Sequence, residues 1–127
     1  MKVKTLLEGK PFMTEYGIVG YSTVVLIACD DEKNILYDCG SKGCALQLKE
    51  ALEKAGMKPE DITHVVISHL HFDHVGNLPL FSNAEILLNK IEWESANQTP
   101  DEWHRIQTLA YLEKRGNLHF VKEKDMI

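Results

Sequence analysis

An α/β or α+β fold, with helices packed on a sheet, is what this sequence of 127 residues predicts. Short runs rich in β-branched and apolar residues, bounded by polar turn residues, recur along the chain and read as strands. Between them lie segments whose apolar residues repeat at helical spacing, some with recognisable start or stop signals. The order of these segments is a hairpin, then helix, strand, strand, helices and strand, an alternation that packs helices onto a sheet.

The hairpin is expected from residues 23–28 and 35–38, both β-branched or apolar, joined by the polar turn at 30–34. A helix over 43–55 follows from Ala45, Leu48, Leu52 and Ala55, with Gly56 placed to end it. Residues 59–62 connect to a short buried strand at 64–68, and another strand is expected at 85–88, followed by a helical stretch at 91–96. Thr99, Pro100 and Glu102 combine an N-cap residue, a proline at the first helical position and an acid at the third, which starts a helix reaching about Arg115 before Gly116. Residues 118–121 form the expected last strand.

Composition sets the broad class. With 44% hydrophobic and 26% charged residues, the chain reads as one globular domain over residues 1–127, able to bury roughly two thirds of its unfolded surface. The 14 Lys and Arg against 19 Asp and Glu give a net charge of -5, which disfavours nucleic acid and membrane surfaces as partners; the small-molecule substrate expected here follows from the motif at residues 68–77. No signal peptide is read at the N-terminus, and no apolar run approaches the roughly 20 residues of a spanning helix. Cys29, Cys39 and Cys44 lack CxxC spacing and fit reduced thiols in a cytoplasmic protein.

The chemistry concentrates in Ser68-His69-Leu70-His71-Phe72-Asp73-His74-Val75-Gly76-Asn77. In extended backbone, side chains two apart share a side, so His69 and His71 converge while Leu70 and Phe72 are expected to turn into packing. A turn after Phe72, eased by Gly76, then presents Asp73 and His74 nearby. Imidazole and carboxylate donors suit Zn(II), and also Fe(II) or Mn(II). A closed structural site typically uses four ligands, commonly including Cys, and no Cys is near in sequence, so an open, catalytic site is expected.

The segment His69-Leu70-His71-Phe72-Asp73-His74 resembles the HxHxDH signature of the metallo-β-lactamase superfamily. The likeness extends to Ile35–Gly40, which resembles the family's strand ending in Asp-Thr-Gly with Cys39 in place of Thr, and to Lys58–Ile62. Gly76–Phe81 and Ala84–Leu88 resemble the branch holding the N-acyl-homoserine lactonases. The resemblance implies that His69 and His71 bind a first metal, Asp73 and His74 a second, and that Asp38 orients a ligand by hydrogen bonding. It implies two zinc ions in a complete site, with iron or manganese as alternatives.

The family fold is an αββα sandwich of two similar halves, so the chain, ending at Ile127, is expected to be its N-terminal half, a mixed sheet with helices on one face. The family's third His, bridging Asp and last His would then come from elsewhere, and the isolated chain is expected to be inactive. An exposed apolar sheet face should lead it to self-associate or to pair with a missing C-terminal half. His64, His104 and His119 are read as residues of a strand, an amphipathic helix and a late strand rather than as ligands.

The function expected is hydrolysis of a lactone, ester or thioester by metal-activated water, with Asp73 also a catalytic residue that steers the proton. Alternatives are a thioesterase like the hydroxyacyl-glutathione hydrolases, a β-lactamase, or a non-catalytic metal-binding or dimerising half-domain.

Overall fold

The hairpin expected around the Asp30–Asn34 turn forms from β4 (Val24–Ala28) and β5 (Asn34–Tyr37), paired antiparallel. In the computed structural model, which describes residues 1–99, 104 and 106–122, this hairpin is the middle of a mixed sheet. β1 (Lys2–Leu7) adds antiparallel to β4, while β6 (His64–Val66), β7 (Glu85–Asn89) and β8 (Leu118–Val121) add in parallel to β5 and to one another. The resulting six-stranded order is β1-β4-β5-β6-β7-β8. A separate antiparallel pair, β2 (Lys10–Thr14) and β3 (Gly17–Tyr21), stands beside it.

Four helices complete the described fold: α1 (Ala45–Lys54), α2 (Phe72–Val75), α3 (Lys90–Gln98) and α4 (Ile106–Arg115). Gly56 and Gly116 follow α1 and α4 with φ of 77° and 73°, the left-handed stop that the sequence signals. The start expected for α4 at Pro100, Asp101 and Glu102 lies outside the described residues. Thr99 belongs to the end of α3, its backbone N–H donating to Ser95 O at 2.9 Å.

Strand alternation sends Val24, Leu26, Leu36, Val65, Ile86 and Leu88 to one face, where they meet Leu48 and Leu52 of α1 and Leu109 and Leu112 of α4 in one buried cluster. The helices therefore cover one face, as expected. On the opposite face lie Val25, Ile27, Ile35, Tyr37, Val66 and Leu87, with Tyr37 44% exposed. Among the described residues, no helix is long and apolar enough to cross a membrane.

Three strands, β1 to β3, were not expected. β1 is an edge strand whose alternation of Lys2 and Lys4 with Val3 and Thr5 lies mostly in solvent, a composition that protects an edge and hides a strand signal. β2 and β3 join through Glu15 and Tyr16, which lack the Asn-Gly or Asp-Gly signature of a two-residue hairpin turn.

α1 shows how burial partitions the energy. Leu52 is fully buried and Leu46 is 63% exposed on the same helix. Leu52→Ala is expected to cost about 2–5 kcal/mol in urea unfolding, and Leu46→Ala no more than about 0.5 kcal/mol. Equal losses at the two positions would contradict this packing.

Candidate metal centre

The site is built where parallel strands end. Ile67 N–H still donates to Leu87 O at 2.8 Å, and beyond it the chain leaves the sheet at Ser68. Open α/β sheets place ligands at such carboxyl ends. Next to it, β5 ends at Asp38, which adopts the left-handed conformation with φ 59° and is 3% exposed. A non-glycine residue there costs on the order of 1–3 kcal/mol, and the contacts it makes offset that. The Asp38 carboxylate accepts hydrogen bonds from Ser68 N–H at 2.8 Å and Ser68 Oγ at 2.7 Å, and pairs with His74 Nδ1 at 2.6 Å.

His71, with extended backbone (φ −73°, ψ 153°), precedes the single turn of α2, and Asp73 and His74 lie on that turn. The turn is fastened to the β5–α1 loop. Cys39 N–H donates to His74 O at 2.9 Å, Gly76 N–H to Gly40 O at 2.8 Å, and the buried Asn77 amide to Cys39 O and Ser41 O at 2.9 and 2.7 Å. A Cβ on Gly76 would run into the backbone of Ser41 and Lys42, so glycine is needed here for close approach. Its φ of −62° requires no such freedom.

This fastening brings donor atoms of His69, Asp73 and His74 within 4.8 Å of one another. The His69 and His74 ring centroids are 3.8 Å apart, and His71 stands edge-on to His69 at 4.7 Å. Because Asp38 engages Nδ1 of His74, Nε2 is left toward the cluster, 3.5 Å from Asp73 Oδ2. Two imidazoles, a carboxylate and an outer carboxylate fixing one ring fit a divalent ion such as zinc. The geometry thus brings all four residues of the motif together, His69 with Asp73 and His74, and His71 beside His69.

Burial lowers the proton affinity of both rings, and the charges around them then divide them. For His74 the burial effect is outweighed by the Asp38 hydrogen bond and the Asp38 and Asp73 charges, so its pKa rises above the ordinary 6.5. For His69, burial and then the neighbouring His74 and His71 push the pKa below 6.5. Burial also pushes the Cys39 thiol up, so it stays protonated and donates to His74 O at 3.1 Å.

A cleft of about 370 Å³ opens over His69, His71, Phe72 and Asp73, walled on its other side by Lys10, Pro11 and Tyr21 of the β2–β3 hairpin. Ser22 N–H, just after that hairpin, donates to Asp73 O at 3.0 Å. Leu70 is buried as expected, 1% exposed, but Phe72 faces the cleft instead of the core because α2 begins at that residue and rotates it outward. His64 and His119 stay away from the cluster, facing Glu85 at 3.4 and 3.5 Å. His104 differs from its expected place: it precedes α4, and its ring is 4.9 Å from His71. The roles of Ser68 and Asn77 and the hairpin wall were not read from the sequence; only Ser68 and Asn77, at the ends of the motif segment, carried a usable signal.

A mixed sheet with helices on one face carries, at its strand ends, a histidine-aspartate cluster able to hold a metal ion. Residues 17–124 match the sequence profile of the metallo-beta-lactamase superfamily, and the chain belongs to that family. It is 43% identical over 61 residues to metallo-beta-lactamase domain-containing protein 1 of Xenopus laevis, covering 48% of this chain and 26% of that protein. It is 47% identical over 45 residues to the N-acyl homoserine lactonase of Bacillus cereus, covering 35% of this chain and 18% of the lactonase. A Thermotoga maritima protein assigned to the metallo-beta-lactamases matches the fold with a TM-score of 0.79 at 24% identity, over 99% of this chain and 61% of that one. A quorum-quenching N-acyl homoserine lactone hydrolase matches with a TM-score of 0.64 at 21% identity, over 83% of this chain and 47% of the hydrolase. The chain therefore spans less than two thirds of each of these relatives, from 18% to 61% of their length.

The ionisation pattern is testable without metal. A raised His74 pKa means that the Asp38–His74 pair stabilises the fold fully below pH 6.5 and loses that contribution as pH rises through the raised value. The lowered His69 pKa acts oppositely, its contribution being lost as pH falls below 6.5. In NMR titrations of the metal-free chain, His74 should have its midpoint above that of His69. Asp38→Asn, tolerated in the left-handed region, should bring the His74 midpoint down, and an unchanged midpoint would show that the pair does not form.

Proposed function

We propose that this chain carries the metal-binding part of a hydrolase that opens a lactone, ester or thioester, with a lactone the favoured substrate. The observation that carries the reading is the convergence of His69, Asp73 and His74, with His69 and Asp73 lining an open cleft. A zinc ion held there, or iron or manganese in its place, would supply Lewis acidity and acidify a bound water. His69 and His74 would hold it through ring nitrogens, and His71 would join from beside His69. Asp73, whose carboxylate opens on the cleft, would both bind and accept a proton from the attacking water. Asp38 holds the His74 ring in place from behind.

The lactone preference is supported by the lactonase relatives, which are named as acting on N-acyl homoserine lactones. The whole site, with a second metal and the family's further ligands, is expected to need residues beyond these. On the sheet face away from the helices, the half-buried Val25, Ile27 and Val66 and the exposed Tyr37 support a partner layer there, a second copy of this chain or the complementary half of the fold. It also favours the second reading, a metal-binding or dimerising module without turnover of its own. Three free cysteines, two of them buried, support a reducing, cytoplasmic setting.

Isothermal titration with zinc tests the centre directly. The chain should bind zinc, Asp73→Asn should lose that binding, and Asp38→Asn should weaken it by roughly 10–100-fold. Hydrolysis of an N-acyl homoserine lactone, followed by pH indicator, should stop with chelator and return with zinc. Zinc binding without hydrolysis of lactone, ester or thioester would favour the module, and absence of zinc binding would refute both readings.

A further inference from the structure

We propose that Glu92 and His104 form a clamp that positions the His71 side of the metal loop. The proposal rests on the metal reading for its functional meaning, although the clamp itself is visible without metal. Glu92 lies in the first turn of α3, whose start is fixed by Asn89 Oδ1 accepting Ile91 N–H at 2.7 Å. From there Glu92 Oε1 accepts the backbone N–H of Leu70 at 2.8 Å. Leu70 separates His69 from His71, so pinning its peptide fixes the crank that spaces the two imidazoles.

The same carboxylate oxygen lies 3.8 Å from His104 Nε2, and the His104 side chain is only 8% exposed. Its ring meets His71 at 4.9 Å with an interplanar angle of 71°, an edge-to-face contact nearly matching the 4.7 Å and 82° between His69 and His71. The contact restricts rotation of the His71 ring, while Glu92 holds the backbone beneath it. His104 is therefore a positioning residue, acting through His71. Outer partners that hold a ligand at its working orientation commonly change metal affinity by 10–100-fold.

The experiment compares the full chain with His104→Ala, His104→Phe and Glu92→Gln. Zinc affinity is measured by chelator competition, His71 ring resonances by NMR without metal, and folding by thermal unfolding without metal. His104→Ala should weaken zinc binding by about tenfold and displace the His71 resonances while the chain remains folded. His104→Phe, which keeps a ring against His71, should restore most of that loss. Glu92→Gln, which keeps an acceptor for Leu70 N–H, should fall between. Zinc affinity within twofold of the parent in His104→Ala would overturn the clamp. If the parent chain binds no zinc, the metal reading fails separately, and unmoved His71 resonances in His104→Ala would then overturn the clamp. Should His104→Ala not fold, the same comparison of affinity and resonances in His104→Phe and Glu92→Gln decides, and two parent-like variants would overturn it.

Discussion

The Asp38 carboxylate, 3% exposed at the end of β5, accepts two hydrogen bonds from Ser68 and pairs with His74 Nδ1 at 2.6 Å. It couples the end of the hairpin strand to a segment thirty or more residues further on, at both the exit from β6 and the turn of α2. Its left-handed backbone aims the carboxylate across the strand ends instead of along the strand. The position of the His74 ring, the protonation of its two nitrogens and hence the direction of its remaining donor all follow from this contact.

The rest of the fold delivers Asp38 and the motif to the same edge. Parallel pairing of β5 with β6 and of β6 with β7 puts three strand ends side by side. Buried leucines of α1 and α4 hold the helices to one face, so the loops at that edge are free to carry polar groups. Gly76 and Asn77 then lock the motif to the β5–α1 loop through contacts that no larger or apolar residue would make. Short, hydrogen-bonded connections surround the cluster, whose residues are half-buried, and His69 and Asp73 line the cleft.

Much of this was legible locally. The strands from Val24 to Val121 and the helix α1 announce themselves through alternation, helical spacing and glycine stops, and the motif through the density of His and Asp in a few residues. What was hidden depends on tertiary contact. β1 is an edge strand in solvent, and the β2–β3 hairpin turns on Glu15 and Tyr16, so neither carries a strong pattern. Phe72 was expected inside because alternation was extended one residue too far, past the point where α2 starts. His104 looks like any histidine near a helix until the packing of α3 and the metal loop brings it against His71.

The central claim is that His69, Asp73 and His74 form one metal-holding centre oriented by Asp38. A crystal structure of the zinc-soaked chain, with anomalous data collected at the zinc edge, tests it most directly. The account predicts an anomalous peak among the His69, Asp73 and His74 side chains, with His74 bound through Nε2 and its Nδ1 still on Asp38. No peak in that cluster, or a peak only at His64, Glu85 and His119 on the uncovered sheet face, would contradict it.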